Sequence, residues 1–408
     1  MKYCCRIREK LYLLGGSPFC EILLKSFSLE KSKLSTMIKL IINYKNQLFL
    51  FSPKVMKLLI TCPFLGSLLA QELKRLKLVP FDTFSRGCWV ETDLKGMYQI
   101  NLWSRLANKV YIQLVSGEAR TFDQLFELIK KSDYPQRTSN TNITLKVNIQ
   151  SSQLSSQRTV QSVAHKALLE SIARIGKQQE NTDELMLFLE KNQCLYLNSS
   201  KALYQRGYRT QAGSAPLKEN LAAAMVLLSG WKFKSPLVDY FSGAGTILME
   251  ALLIAKNIAP GSHRQFAFQH FENKNLSIRE NLLQEAKNQI FSGQYQLTGY
   301  DIDPKMTQIS IQNAKNRNLE KEITFETDFL QKKIDFSSSA RILSNPPYGK
   351  RITSSELQKL YQKLNKSFSD QIFGYITNLD IEPENIQQRS SKQLFNDEKC
   401  KFRYKKLS

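Results

Sequence analysis

Short apolar runs alternating with helix-length segments restrict the fold of this chain more than any other feature. Leu237-Val-Asp-Tyr-Phe241 reads as a strand, runs into Ser242-Gly-Ala-Gly-Thr246 and continues as a helix from Ile247 to Ala255. Leu297-Thr-Gly-Tyr-Asp301 is a second strand, leading through Ile-Asp-Pro304 into a helix that reaches Asn318. Ile323–Asp328 is a third, and Arg341-Ile-Leu343 a fourth. Strands alternating with helices predict an α/β, Rossmann-like domain, a mostly parallel, doubly wound sheet covered on both faces. Ligands of such sheets bind beyond the carboxyl ends of the strands. Gly243, Gly245, Asp301, Asp328 and Asn345 all fall at those ends.

A different pattern precedes it. Met56–Cys62 reads as a strand, followed by a helix with Leu65, Leu68, Leu69, Leu73 and Leu76 on one face. Short strands follow between Val79 and Leu94, and Leu102–Leu114 passes from helix to strand. Phe122, Leu125, Phe126 and Ile129 mark a helix, and Ile143–Ile149 alternates like a strand. Val160, Val163, Ala164, Ala167, Leu168 and Ile172 form one helical stripe, and strand character returns from Leu185 to Leu197. The expected organisation is a compact α/β module over 56–204 and the Rossmann-like domain over 205–408, with 1–55 a separate extension. That extension shows no sustained period and carries ten Lys/Arg against three Asp/Glu, a net of +7. It is read as lying upstream of a true start at Met56, or else as a targeting segment.

The formal net charge of the whole chain is +22. An excess of that size suits a polyanionic partner, above all nucleic acid. The seven cysteines include no C-x-x-C pair and the three histidines are scattered, so neither a metal site nor a disulfide framework is expected, and a reducing, cytoplasmic setting is. The most apolar stretch, residues 37–51, is interrupted by Lys39 and Lys45, and no run reaches the 18 or more apolar residues of a membrane span.

The chemistry concentrates at the strand ends. The G-x-G of Gly243 and Gly245 lets backbone approach a ligand closely. It is not the G-x-G-x-x-G dinucleotide fingerprint, since position 248 is Leu, and the Lys-Ser/Thr of a P-loop is missing. Asp301 is placed to accept from ribose hydroxyls, with Asp303 before Pro304 the better helix cap. Asp328, one strand later, is either an adenine-amine acceptor or a loop carboxylate. In "SNPPYGKRI" (344–352), two prolines fix an extended corner. There the Asn345 side-chain oxygen and the Pro346 carbonyl can accept from an exocyclic amine, Pro347 keeps the corner rigid, and Tyr348 can stack on the base. Held by two acceptors, the amine nitrogen moves toward sp³ geometry and its lone pair localises, which is electrostatic preorganisation of a nucleophile. In a duplex the base would have to be flipped out.

These residues resemble class I methyltransferases dependent on S-adenosyl-L-methionine. As an ordered set, "RGYRTQAGSAPLKENLAAAMVLLSGW", "LVDYFSGAGTILMEALLIAKNIAPG", "GYDIDP" and "SNPPYGKRI" resemble the bacterial THUMP-domain methyltransferases that modify the N2 amine of a guanine in large-subunit (23S) ribosomal RNA. "ITCPFLGSLLAQELKRL", "LWSRLANKVYIQL" and "VQSVAHKALLESI" are similar to the ferredoxin-like and THUMP segments of that family. The resemblance covers about 56–408. It implies a ferredoxin-like plus THUMP RNA-binding domain followed by one methyltransferase unit, acting as a monomer. It assigns Asp239, Gly243, Gly245, Thr246 and Glu250 to the cofactor motif, Asp301 to the ribose, and Asp328 to the adenine. Pro216 and Leu217 lie over the methionine end, and Asn345-Pro346-Pro347-Tyr348 is the catalytic corner. Tyr240-Phe241 departs from the family pattern.

Arg105, Arg158, Lys166, Arg206 and Arg209 are the candidate RNA contacts, where phosphate and shape recognition would dominate. The alternatives are a transfer RNA guanine as target, a non-catalytic ribosome-assembly factor with a vestigial pocket, and a DNA amino-methyltransferase.

Overall fold

Two periodicities, two residues in the strands and about 3.6 in the helices, sort the described residues into two seven-stranded sheets. The computed structural model describes residues 55–190, 192–198, 202–211, 217–270, 276–327, 340–347, 355, 359, 372–377, 390–396 and 398–404. Pro216, Asp328, Tyr348 and the 1–54 segment fall outside them.

The first sheet is built from β1 (Met56–Thr61), β2 (Pro80–Phe84), β3 (Gly87–Thr92), β4 (Lys109–Gly117), β5 (Ile143–Ile149), β6 (Asp183–Glu190) and β7 (Asn192–Asn198). Four helices accompany it: α1 (Gly66–Arg75), α2 (Leu94–Trp103), α3 (Phe122–Lys130) and α4 (Gln157–Ser171). Alternation decides which strand face is covered: Met56, Leu58 and Ile60 are buried and Lys57 is exposed. Side chains cap three helix starts, with Asp93 accepting from Gly96 N, Thr121 from Gln124 N and Ser156 from Thr159 N. Strands run in the order β2-β3-β1-β4-β7-β6-β5. β1 pairs antiparallel with both β3 and β4, so β1-α1-β2-β3-α2-β4 is a ferredoxin-like βαββαβ unit. β7 pairs with β4 and extends that sheet into the following βα segment.

The second sheet contains β8 (Leu237–Asp239), β9 (Leu297–Asp301), β10 (Thr324–Thr327), β11 (Arg341–Ser344), β12 (Ile372–Thr377), β13 (Ser390–Asn396) and β14 (Glu398–Tyr404). Its helices are α5 (Glu219–Ser229), α6 (Thr246–Ala255), α7 (Leu276–Asn288) and α8 (Pro304–Lys315). The order is β10-β9-β8-β11-β12-β14-β13. The first five strands are parallel and β14 turns antiparallel against β12. The chain grows outward from β8 through β9 to β10, then returns past β8 to β11. Strand order therefore reverses between β8 and β11, where ligands of open α/β sheets bind. This is a Rossmann-like domain closed by an antiparallel hairpin. Helices α5 and α6 are buried on nearly every side, which is why their sequences are apolar all round.

Candidate active site at the sheet switch point

β8 and β11 are paired only at Leu237–Arg341 and Val238–Ile342. Beyond that register the pairing ends, at the strand ends where ligands of open α/β sheets bind. Asp239, buried, accepts from Phe241 N at 3.0 Å through Oδ1, while its Oδ2 has no partner. Asn345 follows β11, and its Oδ1 is buried without a hydrogen-bond donor. Pro346 is buried and Pro347 half-buried. Neither proline offers an N–H that could satisfy that oxygen.

The glycine turn follows β8. Gly243 (φ +51°) donates its N–H to Asp301 Oδ2 at 2.9 Å, and a Cβ built on it would meet nothing nearer than 4.0 Å. Gly245 (φ +79°) is confined, since a Cβ there would lie 2.8 Å from the Phe325 ring. One glycine is thus demanded by packing, and the other faces open space beside the strand ends. Thr246, buried, starts α6. Tyr240 stacks on Tyr300 with centroids 5.4 Å apart. Leu217 is buried ahead of α5.

Sequence reasoning missed Asn313. From α8 this fully buried amide donates to Ala244 O in the glycine turn and to Gln211 O, and accepts from Thr210 N. An asparagine on the inner face of a polar helix was the only signal.

Asp303 caps α8 through Lys305 N, as expected. Asp301, expected to be free for a ligand, also has internal partners. Its two oxygens accept from Gly243 N and Asp303 N. It braces the glycine turn, with one lone pair per oxygen left for a ribose hydroxyl.

Three expected RNA contacts, and one cofactor contact, are corrected. Arg206 is fully buried; its guanidinium meets Glu250 Oε1 at 3.4 Å and donates to Leu203 O and Arg105 O. Tyr208 OH donates to the same Glu250 oxygen at 2.9 Å. Arg209 is spent on Leu217 O and Glu219. Arg105, also buried, donates to Leu253 O and Ile258 O near the end of α6. The "RGYR" segment is therefore an internal fastener between the two sheets, because a guanidinium's fixed fork suits several carbonyls at once. Glu250 serves as the counter-charge of that joint and touches no open space. Arg158 and Lys166 remain exposed on α4, along a groove that also presents Gln161, Ser162 and His165.

Burial raises the Asp239 carboxyl to about 7, and does the same to Glu219 despite the Arg209 guanidinium. A folded-state pKa above the unfolded value means the folded chain holds the extra proton. Stability contributed by Asp239 is therefore full below pH ~4, falls as pH rises, and is lost above ~7, by roughly 3–4 kcal/mol. Asp239→Asn is expected to leave the melting temperature unchanged near pH 4 and raise it at pH 8. An unaltered pH–stability profile in that variant would sink the assignment.

The residues present fit a nucleoside-type ligand bearing a polar amino-acid end. A backbone open at Gly243 and a buried orphan acceptor on Asp239 suit such a molecule. Among the described residues no cluster of His, Cys, Asp and Glu suits a metal, and no helix is long and apolar enough to cross a membrane.

Comparison with known proteins agrees with this geometry. Residues 206–404 match the family described as "RMKL-like, methyltransferase domain", and 57–111 match the "RlmL ferredoxin-like domain". YpsC of Bacillus subtilis is 34% identical over 297 residues, 68% of this chain and 75% of that protein. The ribosomal RNA large subunit methyltransferase K/L of Shewanella baltica is 29% identical over 75% of this chain. That stretch is 46% of the Shewanella protein, so the chain spans about half the length of such relatives. The crystal structure of SMU.472, complexed with SAH, superposes with a TM-score of 0.77 at 25% identity, covering 87% of this chain and 99% of that one.

Proposed function

We propose, from the premise that this chain belongs to the family of RMKL-like methyltransferase-domain proteins that includes YpsC, that it methylates the N2 amine of a guanine in large-subunit ribosomal RNA. The single observation that carries the reading is the buried, donor-less Asn345 Oδ1 at the switch point. An unsatisfied buried acceptor is costly, and a nucleobase amine would satisfy it.

When bound, S-adenosyl-L-methionine supplies an electrophilic methyl group. Asp239, Gly243, Thr246, Leu217 and Asp301 would hold it, and Pro216 and Asp328 are carried by resemblance. Asn345 Oδ1 and the Pro346 carbonyl accept the two amine hydrogens, so the nitrogen lone pair leaves the ring system. Tyr348 is carried by resemblance as the ring that would stack on the base. No protein base is required, since the surplus proton leaves to solvent after transfer. Asp239 and the buried Pro346 keep the strand ends fixed and exclude water. Arg158 and Lys166, on a THUMP-type module of a chain of net charge +22, contact phosphate. The protein works in the cytoplasm, as a monomer.

The test is methyl transfer from labelled S-adenosyl-L-methionine to RNA from cells lacking this protein, with ribosomal RNA, precursor particles and transfer RNA offered separately. N2-methylguanosine in the large ribosomal RNA is the expected product. Label confined to transfer RNA would move the target and keep the chemistry. Cofactor binding with no label in any fraction would overturn the enzymatic reading.

A further inference from the structure

We propose that Ser344 is a positioning residue, a one-hydroxyl clamp that fixes the spacing between the ends of β8 and β11; the inference rests on the methyl-transfer reading above. Ser344 is the last residue of β11 and is fully buried. On one flank its backbone stays in register with β12, opposite Tyr375. On the other flank the pairing with β8 has already ended at Ile342. Past the end of that ladder, the Ser344 side chain carries the contact on. Ser344 Oγ accepts from Tyr240 N at 3.0 Å.

A hydroxyl has one proton to give and two lone pairs. Accepting from Tyr240 N ties the last residue of β11 to the residue that follows β8. Tyr240 leads directly into the glycine turn, and Ser344 leads directly into Asn345. One buried oxygen thus joins the wall that would hold the cofactor to the corner that would hold the amine. Tyr240 is braced from behind by its stack on Tyr300 of β9, so the clamp pulls against a fixed wall. In-line transfer demands that spacing, and a displacement of about 1 Å costs on the order of 10²-fold in rate. Ser344 touches neither reactant in this scheme and acts through Asn345 and the turn.

The test compares Ser344→Ala with Ser344→Thr, which keeps the hydroxyl, in the full chain. Hydrogen exchange reads the clamp directly. In Ser344→Ala the Tyr240 amide should exchange faster, with the change confined to peptides covering 237–247 and 340–347. Calorimetry with S-adenosylhomocysteine should give wild-type affinity. The kcat for RNA methylation should fall roughly 10- to 100-fold with KM little altered. Ser344→Thr should recover most of the protection and most of the rate. Wild-type exchange at Tyr240, wild-type kcat, or a loss of S-adenosylhomocysteine affinity as large as the loss of rate would each overturn the proposal. If the unmodified chain methylates no RNA, the functional reading fails, while exchange and S-adenosylhomocysteine binding still decide whether the clamp exists.

Discussion

Asn345→Ala is expected to lower kcat by about 10²–10³-fold while S-adenosylhomocysteine binds with unchanged affinity. The side chain contributes an acceptor that no protein donor uses, so its removal breaks no internal hydrogen bond through that oxygen. Stability should hold or rise slightly, because an unsatisfied buried acceptor disappears with it. Loss is confined to the step in which the amine nitrogen changes geometry. An interaction made only in the transition state lowers kcat and kcat/KM together. Single-turnover methylation of the RNA substrate measures the rate, and calorimetry the affinity. Wild-type turnover by Asn345→Ala would remove the corner from the chemistry. Matched losses of rate and cofactor affinity would make Asn345 a structural residue.

Glu250→Gln should have the largest effect on folding. The carboxylate is fully buried against Arg206 and Tyr208, and Arg206 is equally inaccessible. The amide leaves a guanidinium without its counter-charge in a dry site. Removing one partner of a buried pair costs about 3–5 kcal/mol, since the remaining charge is stranded. For a unit of this size the melting temperature should fall by roughly 10 °C. Tyr208→Phe, which deletes one hydrogen bond to the same oxygen, should cost on the order of 1.5–3 kcal/mol. Thermal and urea unfolding of both variants measure this. A melting temperature for Glu250→Gln within a degree of wild type would mean that water or another anion reaches Arg206.

The parallel core of the second sheet was legible because fully buried strands are short apolar runs closed by Gly, Asp or Pro. The four strand ends followed from it. Helix α5 was not read as an element, because "ENLAAAMVLL" is apolar on every side and a period needs a polar face to stand out. The β13–β14 hairpin was missed for the opposite reason: "EKCKFRYKK" is rich in lysine and arginine and holds no apolar run to mark a strand. In the site, Asp303 was correctly read as a cap from its place before Pro304. Arg105, Arg206 and Arg209 were misread because a guanidinium looks the same in sequence whether it meets phosphate or a buried carbonyl. Only tertiary packing against Glu250 and the end of α6 distinguishes the two. Asn313 and the Ser344 hydroxyl were invisible for the same reason, being short polar groups whose partners are distant in sequence.

The joint between the sheets also has a history in time. Arg105 lies 148 residues before Leu253, one of the carbonyls it serves. At 5–20 residues per second, a nascent chain waits about 7–30 s between making the two. Throughout that interval the ferredoxin-like unit can close its own sheet, but the surface bearing Arg105 stays wet and unmatched. Arrival of α6 then buries Arg105 and Arg206 together. Quality control during translation would therefore meet this chain as a finished first half carrying a charged, still-hydrated seam. A ribosome stalled before residue 253 would release a fragment whose seam can never close.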